Sequence, residues 1–183
     1  MNKEPIIRQR YVLTEDLIIE ALDYAKISRR FTSNRHDFHE GGLNAKEHKM
    51  FEGKLGEKIF KMFLVDNSIK FEEDKTNYDE ADYFDFILNG KLTVDIKTRT
   101  QDFHIRTLEM KEQFEKKPKG IYISIRLYPD TKEGIIVGWF LKEDLIKINR
   151  VDNNGYLDNY VLYDEELRPI SELIDMLKAI DEK

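Results

Sequence analysis

The chain has 183 residues, no cysteine and a formal net charge of −6 at neutral pH. The length suits one domain, since domains commonly run to about 100–200 residues, and the missing cysteine excludes disulfide scaffolds, cysteine zinc sites, iron–sulfur clusters and thiol catalysis. Any metal must then be held by oxygen or histidine, and the acidic total excludes coating of nucleic acid through overall charge while still allowing local basic patches.

Two helices are predicted at the start of the chain. Thr14 offers an N-cap before apolar residues at helical spacing, which predicts a first helix over about 14–30. Asn44, with an acid three residues later, resembles a capping box. Apolar residues then recur every four positions from Phe51 to Phe63, so a second helix is predicted to run to about residue 66.

The pattern then changes to that of strands. Asn89-Gly90 is a strong hairpin signal, and the charged stretch 100–119 is ambiguous. Strands are predicted at 69–72, 82–88, 91–98, 121–127, 135–141 and 156–163, with a short helix at 142–148 and a last helix opened by Pro169. This order predicts an α/β fold with a mixed central β-sheet flanked by helices, in which the apolar segment 135–141 is a buried central strand.

The hairpin brings charged side chains together. Alternation on its second strand turns the apolar residues to one face and Asp95 and Lys97 to the other. A three-residue loop aligns the apolar residues of the first strand with them and sets Asp85 opposite Asp95. A two-residue loop would pair Asp82 with Lys97 instead but would mix apolar and charged side chains on both faces. Asp85 is therefore preferred, with Asp82 as the substitute.

The two carboxylates predict a metal site. Facing each other across a strand pair they repel, and a divalent cation would remove that cost. Oxygen ligands suit Mg²⁺, which one or two carboxylates and a substrate phosphate usually hold. Lys97 on the same face could orient a water molecule or offset negative charge on a phosphate. The alternative is a solvated outer face on which Lys97 is simply the ion-pair partner of Asp85 and Asp95.

The spacing of Asp85 and Asp95-Ile96-Lys97 after a turn resembles the PD-(D/E)XK nuclease superfamily, the restriction-endonuclease-like fold. Phe84 stands where the signature has its proline. The superfamily core of a helix, a three-strand meander, a crossover helix and further strands matches residues 45–141 in order. This resemblance implies one nuclease-like domain over 1–183, with the core at about 45–141 between an N-terminal helical part and C-terminal flanking elements.

The resemblance also implies a function and a set of site residues. It implies an Mg²⁺-dependent deoxyribonuclease that acts as an endonuclease, with Mn²⁺ able to substitute and no organic cofactor. Asp85, Asp95 and the backbone carbonyl of Ile96 would be metal ligands, Lys97 the catalytic lysine, and Glu57 on the first core helix an accessory ligand or base. Because such folds often pair two sites to cut two strands, a homodimer is a further expectation.

Basic residues near the motif are candidates for binding nucleic acid. Arg29, Arg30 and Arg35 lie in a segment without acids next to a glycine-rich loop, and Thr98 and Arg99 directly follow the motif. Such residues suit contacts to the phosphate backbone of DNA. Solvated surface is the alternative for each of them.

Two other functions fit the same residues. One is a non-catalytic nucleic-acid-binding or regulatory protein on the same fold, and the other is a nuclease directed at RNA or single strands. No run approaches the roughly 18 apolar residues of a membrane span, and the first residues lack a secretory signal. We therefore expect a cytoplasmic, intracellular protein without a membrane partner.

Overall fold

The computed structural model describes residues 8–28, 42–74, 84–101, 103–153 and 157–181. Their secondary structure, in chain order, is β1 (Gln9–Val12), α1 (Glu15–Ser28), α2 (Gly42–Asp66), β2 (Phe71–Glu73), β3 (Phe86–Leu88), β4 (Leu92–Arg99), β5 (Arg106–Met110), α3 (Lys111–Lys116), β6 (Ile121–Tyr128), β7 (Glu133–Leu141), α4 (Lys142–Ile148), β8 (Val151–Asp152), β9 (Asn159–Tyr163) and α5 (Ile170–Asp181). Within these ranges no helix has both the length and the apolar character needed to cross a membrane.

A six-stranded sheet with the order β1-β7-β6-β4-β3-β2 forms the centre of the fold. β4 and β6 run parallel, and the other neighbouring pairs run antiparallel. The sheet is therefore mixed and is flanked by helices, which confirms the predicted fold class. The predicted meander is β2, β3 and β4. The connection from β4 to β6 contains β5 as well as α3, which has only 6 residues.

One face of this sheet packs against the long helix α2 and the C-terminal helix α5. The sequence predicted the apolar stripe of α2 from its four-residue spacing, and Leu55, Ile59 and Phe63 are buried. The same cluster includes Val94 of β4 and Leu173 of α5. This cluster is the main hydrophobic core, and it fixes α2 across β4 and its neighbours.

The other face of the sheet is also covered. A second, three-stranded sheet with the order β5-β9-β8 contributes Tyr160 and Leu162 to a cluster with Tyr122 and Phe140 of the main sheet. The sequence singled out 135–141 as the buried central strand. The structure places β7 inside the sheet, and it buries both faces of β6 as well, from Ile121 to Leu127.

Most element boundaries follow the predictions, and the differences lie at the start of α2 and in strands that the sequence did not predict. Thr14 caps α1, since its Oγ1 accepts the backbone N–H of Leu17 at 3.4 Å, and the predicted end of that helix at residue 30 lies outside the described residues. α2 begins at Gly42, so Asn44 lies inside the helix and the predicted capping box is wrong. The strands β1, β5 and β8 were not predicted, and β5 lies in the stretch 100–119 that the sequence left ambiguous.

Candidate active site

The hairpin of β3 and β4 has the predicted register. Phe86 pairs with Val94 and Leu88 with Leu92, which leaves a three-residue loop. Asn89 and Gly90 take positive φ angles of 49° and 67° in that loop, a conformation that asparagine and glycine adopt most readily. The apolar side chains of both strands therefore face the main core, as the sequence predicts. Asp82, the substitute ligand, lies outside the described residues.

Asp85 directly precedes Phe86, the first residue of β3, and bonds to β4 in two ways. Its backbone N–H donates to the carbonyl of Val94 at 2.9 Å, and its Oδ2 accepts the backbone N–H of Ile96 at 2.6 Å. The carboxylate of Asp85 thus accepts an N–H of β4 that a backbone carbonyl of β3 would accept if the pairing of the two strands continued. Because the N–H and C=O of one strand residue point to the same side, the carbonyl of Ile96 also points toward the edge where Asp85 lies.

Negative charge is concentrated around Asp85. Burial raises the pKa of its carboxyl well above the ordinary value, and the charges of Glu57 and Asp95 raise it further. The N–H of Ile96 and the ammonium of Lys54 oppose this shift. Asp85 is thus close enough to both Glu57 and Asp95 to be repelled by each of them, even though Glu57 lies on α2 and Asp95 lies on the hairpin.

Glu57 is held in place by its own helix. The Nζ of Lys54, one turn earlier, donates to Glu57 Oε2 at 2.6 Å, and that ammonium also lies 4.2 Å from the ring centre of Tyr24 on α1. Burial lowers the pKa of Lys54, but Glu57 and Tyr24 outweigh it, and the net shift is upward. Lys54 is therefore charged at neutral pH and partly balances the acidic cluster.

Lys97 lies between two carboxylates. Its Nζ is 2.7 Å from Asp95 Oδ2 and also forms an ion pair with Glu109 Oε2, while the ring centre of Tyr122 lies 5.8 Å away. Burial lowers the pKa of Lys97, but Asp95 and Glu109 more than compensate, so its pKa is raised. The ammonium is therefore charged at neutral pH, and it cannot serve as a general base there.

Glu109 on β5 is a site residue that the sequence analysis missed. Its side chain is 3% exposed, and burial raises its pKa despite the opposing charge of Lys97. Alternation in β5 would turn Leu108 and Met110 inward, whereas the structure buries Thr107 and Glu109. The signal that could have found it is this inverted pattern, in which a strand of the second sheet turns its polar residues toward the main sheet.

A close contact between α2 and β4 sets the position of Glu57. A Cβ on Gly56 would lie 2.0 Å from the Oγ1 of Thr98, whereas a Cβ on Gly53 would meet nothing within 4 Å. Gly56 is therefore required for the approach of the helix. Thr98 faces α2 on the opposite face of β4 from Lys97, with its hydroxyl buried. The contact of Thr98 with nucleic acid stays a prediction, and the buried hydroxyl does not itself support it.

The other residues predicted to contact nucleic acid are four arginines, of which the structure describes Arg99. Arg99 lies on the same face of β4 as Lys97, at the end of the strand. Arg29, Arg30 and Arg35 lie outside the described residues. The structure thus brings together Glu57, Asp85, Asp95, Ile96 and Lys97, and it places Arg99 beside them.

The donor set suits a magnesium ion. Within the described ranges no group of three histidine or carboxylate side chains is already arranged to hold a metal. Mg²⁺ does not need one, since it usually keeps several waters and takes one or two carboxylates together with a substrate phosphate. Asp85 and Asp95, with the carbonyl of Ile96, fit that demand, and a cation would relieve the repulsion among the acids.

Comparison with known proteins adds a structural likeness. No protein-family model matches the sequence, and no curated protein matches it. Among solved structures, the chain is similar to the bacterial homing endonuclease I-Ssp6803I, with 10% sequence identity, a TM-score of 0.45, and coverage of 72% of this chain and 95% of that one. Function must therefore be inferred from the side chains of the site.

Proposed function

We propose that this protein is an Mg²⁺-dependent endonuclease that hydrolyses phosphodiester bonds of DNA, with the site of the PD-(D/E)XK superfamily. The observation that carries the proposal is the position of Asp85 at the open end of β3. Its carboxylate binds the N–H of Ile96 at 2.6 Å, between the two motif residues Asp95 and Lys97. This hydrogen bond sets Asp85 beside the segment from Asp95 to Lys97, and that nearness in space supports the proposed motif.

The division of charge within the site supports this function. Asp85, Asp95 and the carbonyl of Ile96 would hold the metal, with Glu57 as the accessory acid. Bound there, Mg²⁺ would offset negative charge on the phosphate and lower the pKa of a water molecule. A charged lysine next to the acids supplies positive charge to the other side of the same phosphate.

Hydrolysis in such a site needs no covalent enzyme intermediate. The oxygen of water bonds to phosphorus, the bond from phosphorus to one sugar oxygen breaks, and the proton lost by water balances the proton that the leaving oxygen gains. Lys97 remains protonated throughout because Asp95 and Glu109 raise its pKa. Its part is to stabilise the charge that develops on the phosphate oxygens.

The test is cleavage of supercoiled and linear plasmid with Mg²⁺, Mn²⁺ or EDTA. Lys97→Ala and Asp95→Asn should each lower the rate by about 10²–10³-fold, as the loss of a group that stabilises the transition state does. Lys132→Ala is the matched control, because it removes an exposed lysine that pairs with Glu15. EDTA should abolish cleavage, and full activity in both site variants would refute the assignment.

The same assay separates the rival functions. A non-catalytic nucleic-acid-binding protein would cleave no duplex, branched or single-stranded DNA with any metal, and calorimetry would find no Mg²⁺ binding that Asp95→Asn removes. Faster cleavage of RNA or single strands than of duplex would assign the site to those substrates. Linear product formed without a nicked intermediate, in a reaction of second order in protein, would support a homodimer that cuts both strands.

A further inference from the structure

A second basic site lies beside the proposed active site, at the end of β4. Arg99 follows Lys97 by two residues, so both side chains leave the same face of the strand roughly 6.6 Å apart. In the parallel pairing with β6, Lys97 lies opposite Ser124 and Arg99 opposite Arg126. This distance is comparable with one step between successive phosphates of a nucleic-acid strand.

Three arginines lie close together here, Arg99 on β4, Arg126 on β6 and Arg106 on β5, but their partners differ. Arg126 is buried and bonds to Asp164 Oδ2 at 3.0 Å and to the carbonyl of Gln101 at 2.7 Å. Arg106 bonds to Asp152 Oδ2 at 2.5 Å. Across the described ranges, no carboxylate forms an ion pair with Arg99.

The surroundings of Arg99 are unfavourable for an unpartnered cation. Burial lowers the pKa of its guanidinium, and the positive charges of Arg126 and Arg106 lower it further. Burial and the same arginines also lower the pKa of His104, so that ring is mostly neutral at neutral pH. An anion bound at Arg99 would offset the repulsion among the arginines. Folding alone gives no reason for a protein to keep a partly buried arginine without an anionic partner.

Exposed apolar side chains border the same place. Phe103 is 75% exposed and Ile105 is 57% exposed, in the connection between β4 and β5. The ring of Phe103 meets His104 edge-on, with 4.5 Å between ring centres. Nucleic-acid-binding sites combine cationic side chains, which contact phosphates, with exposed aromatic rings, on which bases stack.

We propose that Arg99, with Arg106 and Arg126 around it and Phe103 beside it, is a subsite for the DNA phosphate next to the one cleaved. Cleavage of the neighbouring phosphate rests on the proposed function, whereas the binding of a DNA strand at Arg99 does not. Arg99 contacts the phosphate directly. Arg106 and Arg126, held by their aspartates, add positive field, and Phe103 packs on the adjoining sugar or base.

The experiment is binding of a fluorescent DNA duplex in EDTA, measured by anisotropy over a series of salt concentrations. Arg99→Gln should weaken binding about tenfold and should reduce the slope of log K against log salt by about 0.9. Arg99→Lys should keep the slope. Arg10→Gln is the control, because Arg10 lies on β1, the edge strand separated from β4 by β7 and β6, and it should bind as wild type does.

Each outcome decides the proposal. An unchanged affinity and slope in Arg99→Gln overturns the subsite. If that variant fails to fold, Phe103→Ala at its exposed position decides instead: binding about fivefold weaker or more supports the subsite, and unchanged binding overturns it. A wild type that binds with the Arg99-dependent slope but cleaves nothing with Mg²⁺ keeps the subsite and refutes the nuclease, so the two failures are distinguishable.

Discussion

The contact between Gly56 and Thr98 allows a sharp test of how α2 is fixed on the sheet. Gly56→Ala places a Cβ 2.0 Å from Thr98 Oγ1 and 3.2 Å from its Cβ, so helix and strand must separate. Overpacking of this kind costs about 1–3 kcal/mol. Gly53→Ala, three residues earlier on the same helix, meets nothing within 4 Å and is the matched control.

Both substitutions gain the same helix propensity, about 0.8–1.0 kcal/mol. The control should therefore be stabilised by that amount, whereas Gly56→Ala should be about 1–3 kcal/mol less stable than the control. For a chain of this length each kcal/mol shifts the Tm by about 2–4 °C. The two variants should then differ by about 2–12 °C in a calorimetric or circular dichroism melt.

A double mutant locates the cost. Thr98→Ala removes the hydroxyl and the methyl group that the new Cβ meets, so it should recover most of the loss in the Gly56→Ala background, with a coupling energy of at least about 1 kcal/mol. Gly56→Ala as stable as Gly53→Ala would refute the close approach of α2 to β4. Because Glu57 is the next residue, Gly56→Ala should also lower cleavage while Gly53→Ala leaves it unchanged.

Two further predictions concern the buried carboxyl groups. Because the pKa of Asp85 is raised in the folded protein, the free energy of unfolding should fall as pH rises above the ordinary aspartate pKa of about 3.9. In urea titrations from about pH 4 to about pH 8, Asp85→Asn should show a smaller fall than the wild type, and an equal fall would contradict a buried acid at this position. Glu109 helps to raise the pKa of Lys97. Glu109→Gln should therefore lower that pKa, so that DNA cleavage falls off at an alkaline pH where the wild type keeps its rate. Equal fall-off in the two proteins would contradict the role of Glu109 in holding the lysine.

The hairpin and α2 could be predicted from the sequence because local patterns determine them. The alternation from Leu92 to Lys97 and the pair Asn89-Gly90 admit one register that keeps apolar and charged side chains on separate faces. That register was enough to place Asp85 near Asp95. The position of Glu57 beside them could not be derived from spacing, since it depends on how far α2 approaches β4.

In the second sheet, β9 follows the strand predicted at 156–163, whereas β5 could not be predicted, because its burial pattern goes against the local rules. In β5 the residues buried beneath the main sheet are Thr107 and Glu109, whose partners are Ser124 Oγ at 2.7 Å and the ammonium of Lys97. Polar residues can be buried when tertiary partners satisfy them. Ser124 lies 17 residues after Thr107, and Lys97 lies 12 residues before Glu109. β1 likewise exists only through its pairing with β7.

The ion pair of Lys97 and Glu109 joins the two sheets at the centre of the proposed site. Glu109 is held in β5, and β5 is held by β9, where Glu109 pairs with Tyr160. A fragment cut to residues 45–141 would keep every residue of the nuclease motif but would lose the strand that anchors β5. The C-terminal segment is thus a scaffold for the lysine, and the smallest unit able to present a complete site must extend at least through Tyr163.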